Sequence, residues 1–196
     1  MLHGVWLGRD FFALLVKIDC ELVDRVAEAG CPRCDGPLHR GDYDRKPRGG
    51  LVAGAGEAFC RRFSLCCGSC RRRCLPPSMR FLGRRVYFEA VVFLASVWAL
   101  CGGGDIAAAG VPVRTVRRWL GWWTSVFPGL PTWVELRARL PQPAPAELLL
   151  PLSLLEHLSA SLGPFDAEQL LIKAARLLAP VTTQSCPKSS RFVWAD

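Results

Sequence analysis

Four cysteines constrain this chain before anything else does. Cys31-Pro-Arg-Cys34 and Cys67-Gly-Ser-Cys70 are two Cys-x-x-Cys pairs. Each such pair makes a tight turn from which both sulfurs can reach one ion about 2.3 Å away. Two pairs supply four thiolates to one tetrahedral zinc, the arrangement of a zinc ribbon, in which metal takes the place of core. Pro32 stiffens the first turn, and Gly68 and Ser69 sit inside the second. Between Cys34 and Cys67 lie 32 residues, more than the usual span of about 15–20, so a long hairpin or loop must bridge the pairs. Ligand choice stays open at Cys60, Cys66, Cys74 and His39, which stand close to the pairs. Disulfides would suit ten cysteines in a secreted chain, and a lone Cys-x-x-Cys can be redox-active, but no thioredoxin-like βαβ pattern accompanies these.

Charge points to the same region. The net charge is +8, and residues 31–90 carry 13 basic and 5 acidic groups, while 1–30, 91–125 and 126–196 carry −2, +2 and 0. A basic patch on a metal module is the footprint expected for nucleic acid, whereas a solvated face usually mixes both signs. Arg71-Arg72-Arg73 does not mix them. The longest apolar run, Val86 to Cys101, contains Glu89 and is short of the roughly 20 residues a membrane span needs. The opening MLHGVWLGRDFF lacks the basic and apolar regions of a signal peptide, so a cytoplasmic protein is expected.

Taken in order, residues 10–29 predict a packing helix, with Phe11, Leu14, Leu15, Ile18, Leu22, Val23 and Val26 at helical spacing and Gly30 as its stop. Arg45, Lys46 and Arg48 fall in a glycine-rich loop reaching Gly56. Alternation from Phe59 to Cys67 predicts a strand whose Phe59, Phe63 and Leu65 face inward and whose Arg62 faces out toward phosphate. From Arg84 to Leu100 the apolar residues lie on every side, as in a core helix. Gly102-Gly103-Gly104 ends it, Asp105 caps a short helix at Ile106–Ala109, and Gly110-Val111-Pro112 turns into a basic helix, VRTVRRWLGWW. There Val113, Val116, Leu120 and Trp123 form the packing face, and Arg114, Arg117, Arg118 and Gly121 the outer one. Long helix, short helix, glycine turn and basic helix follow the helix-turn-helix order, whose last helix enters the major groove.

CPRC, RRFSLCCGSCRRRCLPPSMRFLGRRVYFEAVVFLAS and GVPVRTVRRWLGWW together resemble the DNA-binding half of bacterial insertion-sequence transposases and their accessory proteins. That family places a four-cysteine ribbon ahead of a helix-turn-helix, and the likeness covers about residues 31 to 125. It implies Cys31, Cys34, Cys67 and Cys70 as metal ligands and Val113–Trp123 as the recognition helix. The RNase H-like catalytic domain of a full transposase has no counterpart in the remaining residues, so binding without cleavage is implied.

Beyond this, prolines from Pro128 to Pro145 predict a stiff linker, Glu147–Leu162 a helix, and Asp166 with Gln169 a capping box opening a helix at Ala167–Leu178. His157 reads as a surface residue and the stretch after Val181 as a loose tail. The expected organisation is a packing helix at 1–30, a zinc ribbon at 31–78, a helix-turn-helix at 79–127, a linker at 128–147, helices at 148–180 and a tail at 181–196. The fold class is mainly α with a small β ribbon. The expected function is sequence-specific binding of double-stranded DNA, with Arg61, Arg62, Arg71, Arg72 and Arg73 on phosphates and Arg114, Arg117 and Arg118 reading sequence. Partners would be a separately encoded recombinase or a second copy held through the C-terminal helices. The alternative is a zinc-ribbon module for protein–protein interaction, or a transcriptional regulator unrelated to transposition. No enzyme is expected: there is no Ser/His/Asp set, phosphate loop or HExxH, and a closed four-thiolate site leaves zinc no open position.

Overall fold

A computed structural model describes residues 9–46, 48, 57–82, 87–101, 110–138, 149–162 and 167–179. The described residues are mainly helical, with two small antiparallel sheets and a cluster of four cysteines among them. The glycine run, the short helix expected at 106–109, most of the basic loop, Asp166 and the tail lie outside the described residues.

Helix α1 (Arg9–Glu28) leads the chain, and its apolar stripe serves two cores. Phe11, Phe12, Leu15, Ile18 and Leu22 enter the main cluster. Val23 and Val26 enter a smaller one with Phe63, Leu65 and Cys74. Leu14, expected on that stripe, is exposed. The helix carries Asp10 in its first turn and Arg25 in its last, both favourable to its dipole, and the chain leaves it at Gly30 with φ +75°.

The cysteine module follows. Strands β1 (Leu38–Arg40) and β2 (Tyr43–Asp44) precede a four-residue helix, α2 (Glu57–Cys60); β3 (Arg61–Arg62), β4 (Leu65–Cys67) and β5 (Arg73–Cys74) come after it. One sheet has the order β1-β4-β5 and the other pairs β2 with β3. Leu38 faces Cys67 in register, which brings the two Cys-x-x-Cys turns side by side despite the long intervening chain. The single strand expected from Phe59 to Cys67 is therefore divided. Its start is helical, Arg61 and Arg62 pair with β2, and only after Phe63 and Ser64 does the chain join the larger sheet.

Helix α3 (Glu89–Leu100) is buried on nearly every side, as its composition demands. Helix α4 (Val113–Ser125) packs against it through Val116, Trp119 and Trp123. The indole of Trp123 donates to Ser96 Oγ at 3.1 Å, and Ser96 donates to the Val92 carbonyl at 2.7 Å, so the polar atoms at this contact are paired. Val113, expected on the packing face, is 59% exposed. It opens the helix just after Pro112, to one side of the buried stripe.

The stretch expected as a linker instead begins with a 3-10 turn at Phe127–Gly129 and helix α5 (Pro131–Arg137). Pro131 is accommodated at the helix start, where its missing N–H costs nothing, and Phe127 and Trp133 stack at 4.9 Å inside the main core. Helices α6 (Leu152–Leu162) and α7 (Ala167–Leu178) pack on each other and on α3. His157 is 6% exposed rather than at the surface, because it shares the inner side of α6 with Leu154 and Leu158.

A buried polar centre ties the module to the helices. Asp19 of α1 and Arg80 are both fully buried and form an ion pair at 2.8 Å. Asp19 also accepts from Ser78 Oγ at 2.6 Å and from the Met79 N–H, while Arg80 donates to the carbonyls of Ala58 and Phe59. Beside them Glu89 is buried, and neither carboxyl oxygen has a hydrogen-bond partner among the described residues. Burial pushes its pKa well above the usual carboxylate value, with Asp19 adding to the shift and Arg62 opposing it. Below pH 4.5 the carboxyl is protonated whether folded or unfolded, so the penalty is absent. As pH rises the unfolded chain ionises first, and stability falls by about 1.4 kcal/mol per pH unit until the folded group ionises too. Glu89→Gln is expected to melt higher than the parent at pH 7 and to converge with it toward pH 4. Parallel melting curves across that range would show that Glu89 is ionised in the fold.

Candidate metal centre and basic face

The two cysteine turns are built alike. In the first, Asp35 N–H donates to the Cys31 carbonyl at 2.9 Å and Cys31 N–H to the Gly36 carbonyl at 3.0 Å. In the second, Arg71 N–H donates to the Cys67 carbonyl at 3.1 Å and Cys67 N–H to the Arg72 carbonyl at 3.0 Å. The residue after each second cysteine has positive φ, 55° at Asp35 and 58° at Arg71. Such a conformation costs a non-glycine residue about 1–2 kcal/mol, and here it occurs at matching positions in both turns. The turns close on each other at Gly36, where a Cβ would fall within 3.0 Å of the Ser69 side chain and 3.3 Å from Cys67 Sγ.

All four sulfurs lie within 4.8 Å of one another. Cys34 Sγ is 3.5 Å from Cys67 Sγ, and Cys31 Sγ is 3.7 Å from Cys70 Sγ. A tetrahedron with bonds of about 2.3 Å has edges of about 3.8 Å, so the spacing fits a thiolate-bound metal ion. The surroundings fit as well, because backbone N–H groups aim at the sulfurs. The Cys70 N–H reaches Cys67 Sγ at 3.4 Å and, with the Ser69 N–H, draws the Cys67 thiol down to about 6. Cys34 also receives a backbone hydrogen bond, from Gly36, which lowers its pKa; its hydrogen bond with Cys67 and desolvation outweigh this and push it up to about 11. A metal ion bound here would take all four cysteines as thiolates, releasing their protons.

Cys60, Cys66, Cys74 and His39 do not join the group. Cys74 is buried in the smaller core and Cys60 packs on the main one. Cys66 alternates away from Cys67 on β4, with its Sγ 3.7 Å from the Arg71 carbonyl. His39 faces Cys66 in register and lies against Gly68.

The arginines divide into committed and free. Arg62, expected to reach phosphate, is 1% exposed; it donates to the Pro76 carbonyl at 2.7 Å and lies over the Phe81 ring. Arg73 is exposed but holds the Ser64 hydroxyl at 3.1 Å and stacks over Tyr43. Arg61, Arg71 and Arg72 are exposed on the module. Arg114, Arg117 and Arg118 are exposed on α4, and none of their side chains has a hydrogen bond or ion pair among the described residues. Sequence reasoning overlooked Asp19 and Arg80. The signal was available: Asp19 falls four residues after Leu15 and three before Leu22, on the apolar stripe of α1. Among the described residues no helix is long and apolar enough to cross a membrane. No family model, no curated protein and no solved structure matches the chain.

Proposed function

We propose that this protein is a zinc-stabilised, sequence-specific binder of duplex DNA, of the transposase-related mobile-element type, serving either as an accessory to a separately encoded recombinase or as a regulator. One observation carries the reading: α4 buries Val116, Trp119 and Trp123 while three arginines, unpartnered among the described residues, occupy its opposite face. An unpaired arginine cluster on a helix anchored from behind suits the major groove, where a guanidinium can pair with a guanine edge. Zinc on Cys31, Cys34, Cys67 and Cys70 would be structural, joining the two turns and replacing core. The module then presents Arg61, Arg71 and Arg72 to the phosphate backbone, and Arg62 and Arg73 serve the fold.

The test compares a duplex selected from a random pool with a scrambled one. Arg114→Ala and Arg117→Ala are expected to narrow the gap between the two affinities, by about 1–3 kcal/mol for each arginine that donates two hydrogen bonds to one base. Arg71→Ala with Arg72→Ala should weaken both duplexes in parallel and flatten the salt dependence. A parent protein that binds neither duplex at low salt would favour the protein-interaction reading. Unchanged affinity ratios in the α4 variants would remove that helix as the reader.

A further inference from the structure

Gly121 sits in the middle of α4, where glycine weakens a helix relative to alanine. Nothing in the fold calls for it: a Cβ built there meets no atom within 4 Å. It has no positive φ, and it is exposed. Its direction is informative. At about 100° per residue, Gly121 points within roughly 20° of Arg114, between the directions of Arg117 and Arg118. It is therefore at the centre of the arginine face, one turn beyond two of the arginines and opposite the buried Trp123. The next polar groups along the helix keep the surface low there. Ser125 Oγ folds back onto the Gly121 carbonyl, and Thr124 Oγ1 bonds the carbonyls of Leu120 and Gly121.

We infer that Gly121 is the point of closest approach between α4 and the major groove of duplex DNA, a position left without a side chain so that the flanking arginines can reach the base edges. The inference rests on the DNA reading above. Phosphate charge complements Arg114, Arg117 and Arg118, and a helix seated in a groove meets the DNA along its midline first, which is where Gly121 lies. Gly121 is a positioning residue, acting through how deeply the helix seats.

The experiment takes Gly121→Ala and Gly121→Gln in the full chain and measures melting temperature and affinity for a labelled duplex that the parent selects from a random pool. Both variants have room, so neither should misfold. Gly121→Ala is expected to melt about 2–4 °C higher and bind the duplex about threefold more weakly, and Gly121→Gln to bind it about tenfold more weakly or worse. Binding to a single strand of the same length should change less. Variants that melt higher yet bind the duplex like the parent would overturn the inference while leaving the DNA reading standing. An equal loss on single strand and duplex would overturn it as well, since no groove would be involved. A parent that selects no duplex at low salt would end the DNA reading and this inference together.

Discussion

Cys34→Ser and Cys70→Ser proteins are expected to purify without zinc and to lose the folded cysteine module, while the parent carries one zinc per chain. The expected effect is large because the module contributes little core of its own: its cluster is Phe63, Leu65 and Cys74 against Val23 and Val26. Structural zinc typically binds with about 10–16 kcal/mol of apparent free energy, and in such modules that is folding energy. Loss should be local. The main core draws on α1, α3, α4, α6 and α7, so most of the helical signal should survive in both variants while the module becomes open to protease. Acid should reproduce the loss. Zinc binds the cysteines as thiolates, so protons compete with the metal and its hold on the module weakens as pH falls. Metal analysis and limited proteolysis on both variants decide the matter; full zinc occupancy with unchanged melting in either would withdraw that cysteine as a ligand.

The centre is readable from the sequence because its chemistry is local. A Cys-x-x-Cys turn closes on itself, and the hydrogen bonds at Cys31 and Cys67 span only four or five residues each. Helices α1, α4 and α7 are readable for a similar reason, since a one-sided apolar stripe has a period that survives without knowledge of its partner. Arg62 is not readable in this way. Its fate depends on the Pro76 carbonyl and the Phe81 ring, and on the chain changing sheets at Phe63, which alternation along one strand cannot report. His157 fails differently, because a histidine on a helix carries no sign of which side the next helix will cover. Helix α5 is obscured by prolines that mark a boundary equally well as a linker or as a helix start.

The second large effect is expected at the polar centre, and it should be the complement of the first. Asp19→Asn or Arg80→Met breaks a fully buried ion pair and leaves the other member without its counter-charge, which typically costs about 3–5 kcal/mol. Arg40→Ala supplies the contrast. Its ion pairs with Asp24 and Asp42 and its place over the Phe63 ring belong to a partly exposed side chain, so removing them together should cost about 1–2 kcal/mol, still well below the buried pair. Because Arg80 also holds the carbonyls of Ala58 and Phe59, and Asp19 the Met79 N–H, both substitutions loosen the junction between α1, α2 and the segment leading into α3. None of these bonds belongs to a cysteine turn, so the Asp19 and Arg80 variants should melt much lower yet keep their zinc. Replacing both partners together, as Asp19→Leu with Arg80→Met, should recover part of the loss, because neither member of the pair is left facing a missing counter-charge, although buried Arg62 also loses the nearby Asp19 charge. Thermal melting with metal analysis on each variant separates the cases. An Asp19→Asn protein that melts like Arg40→Ala would mean that the buried pair does not hold the module to the helices, and zinc lost from it would mean that the centre and the metal site form one folding unit.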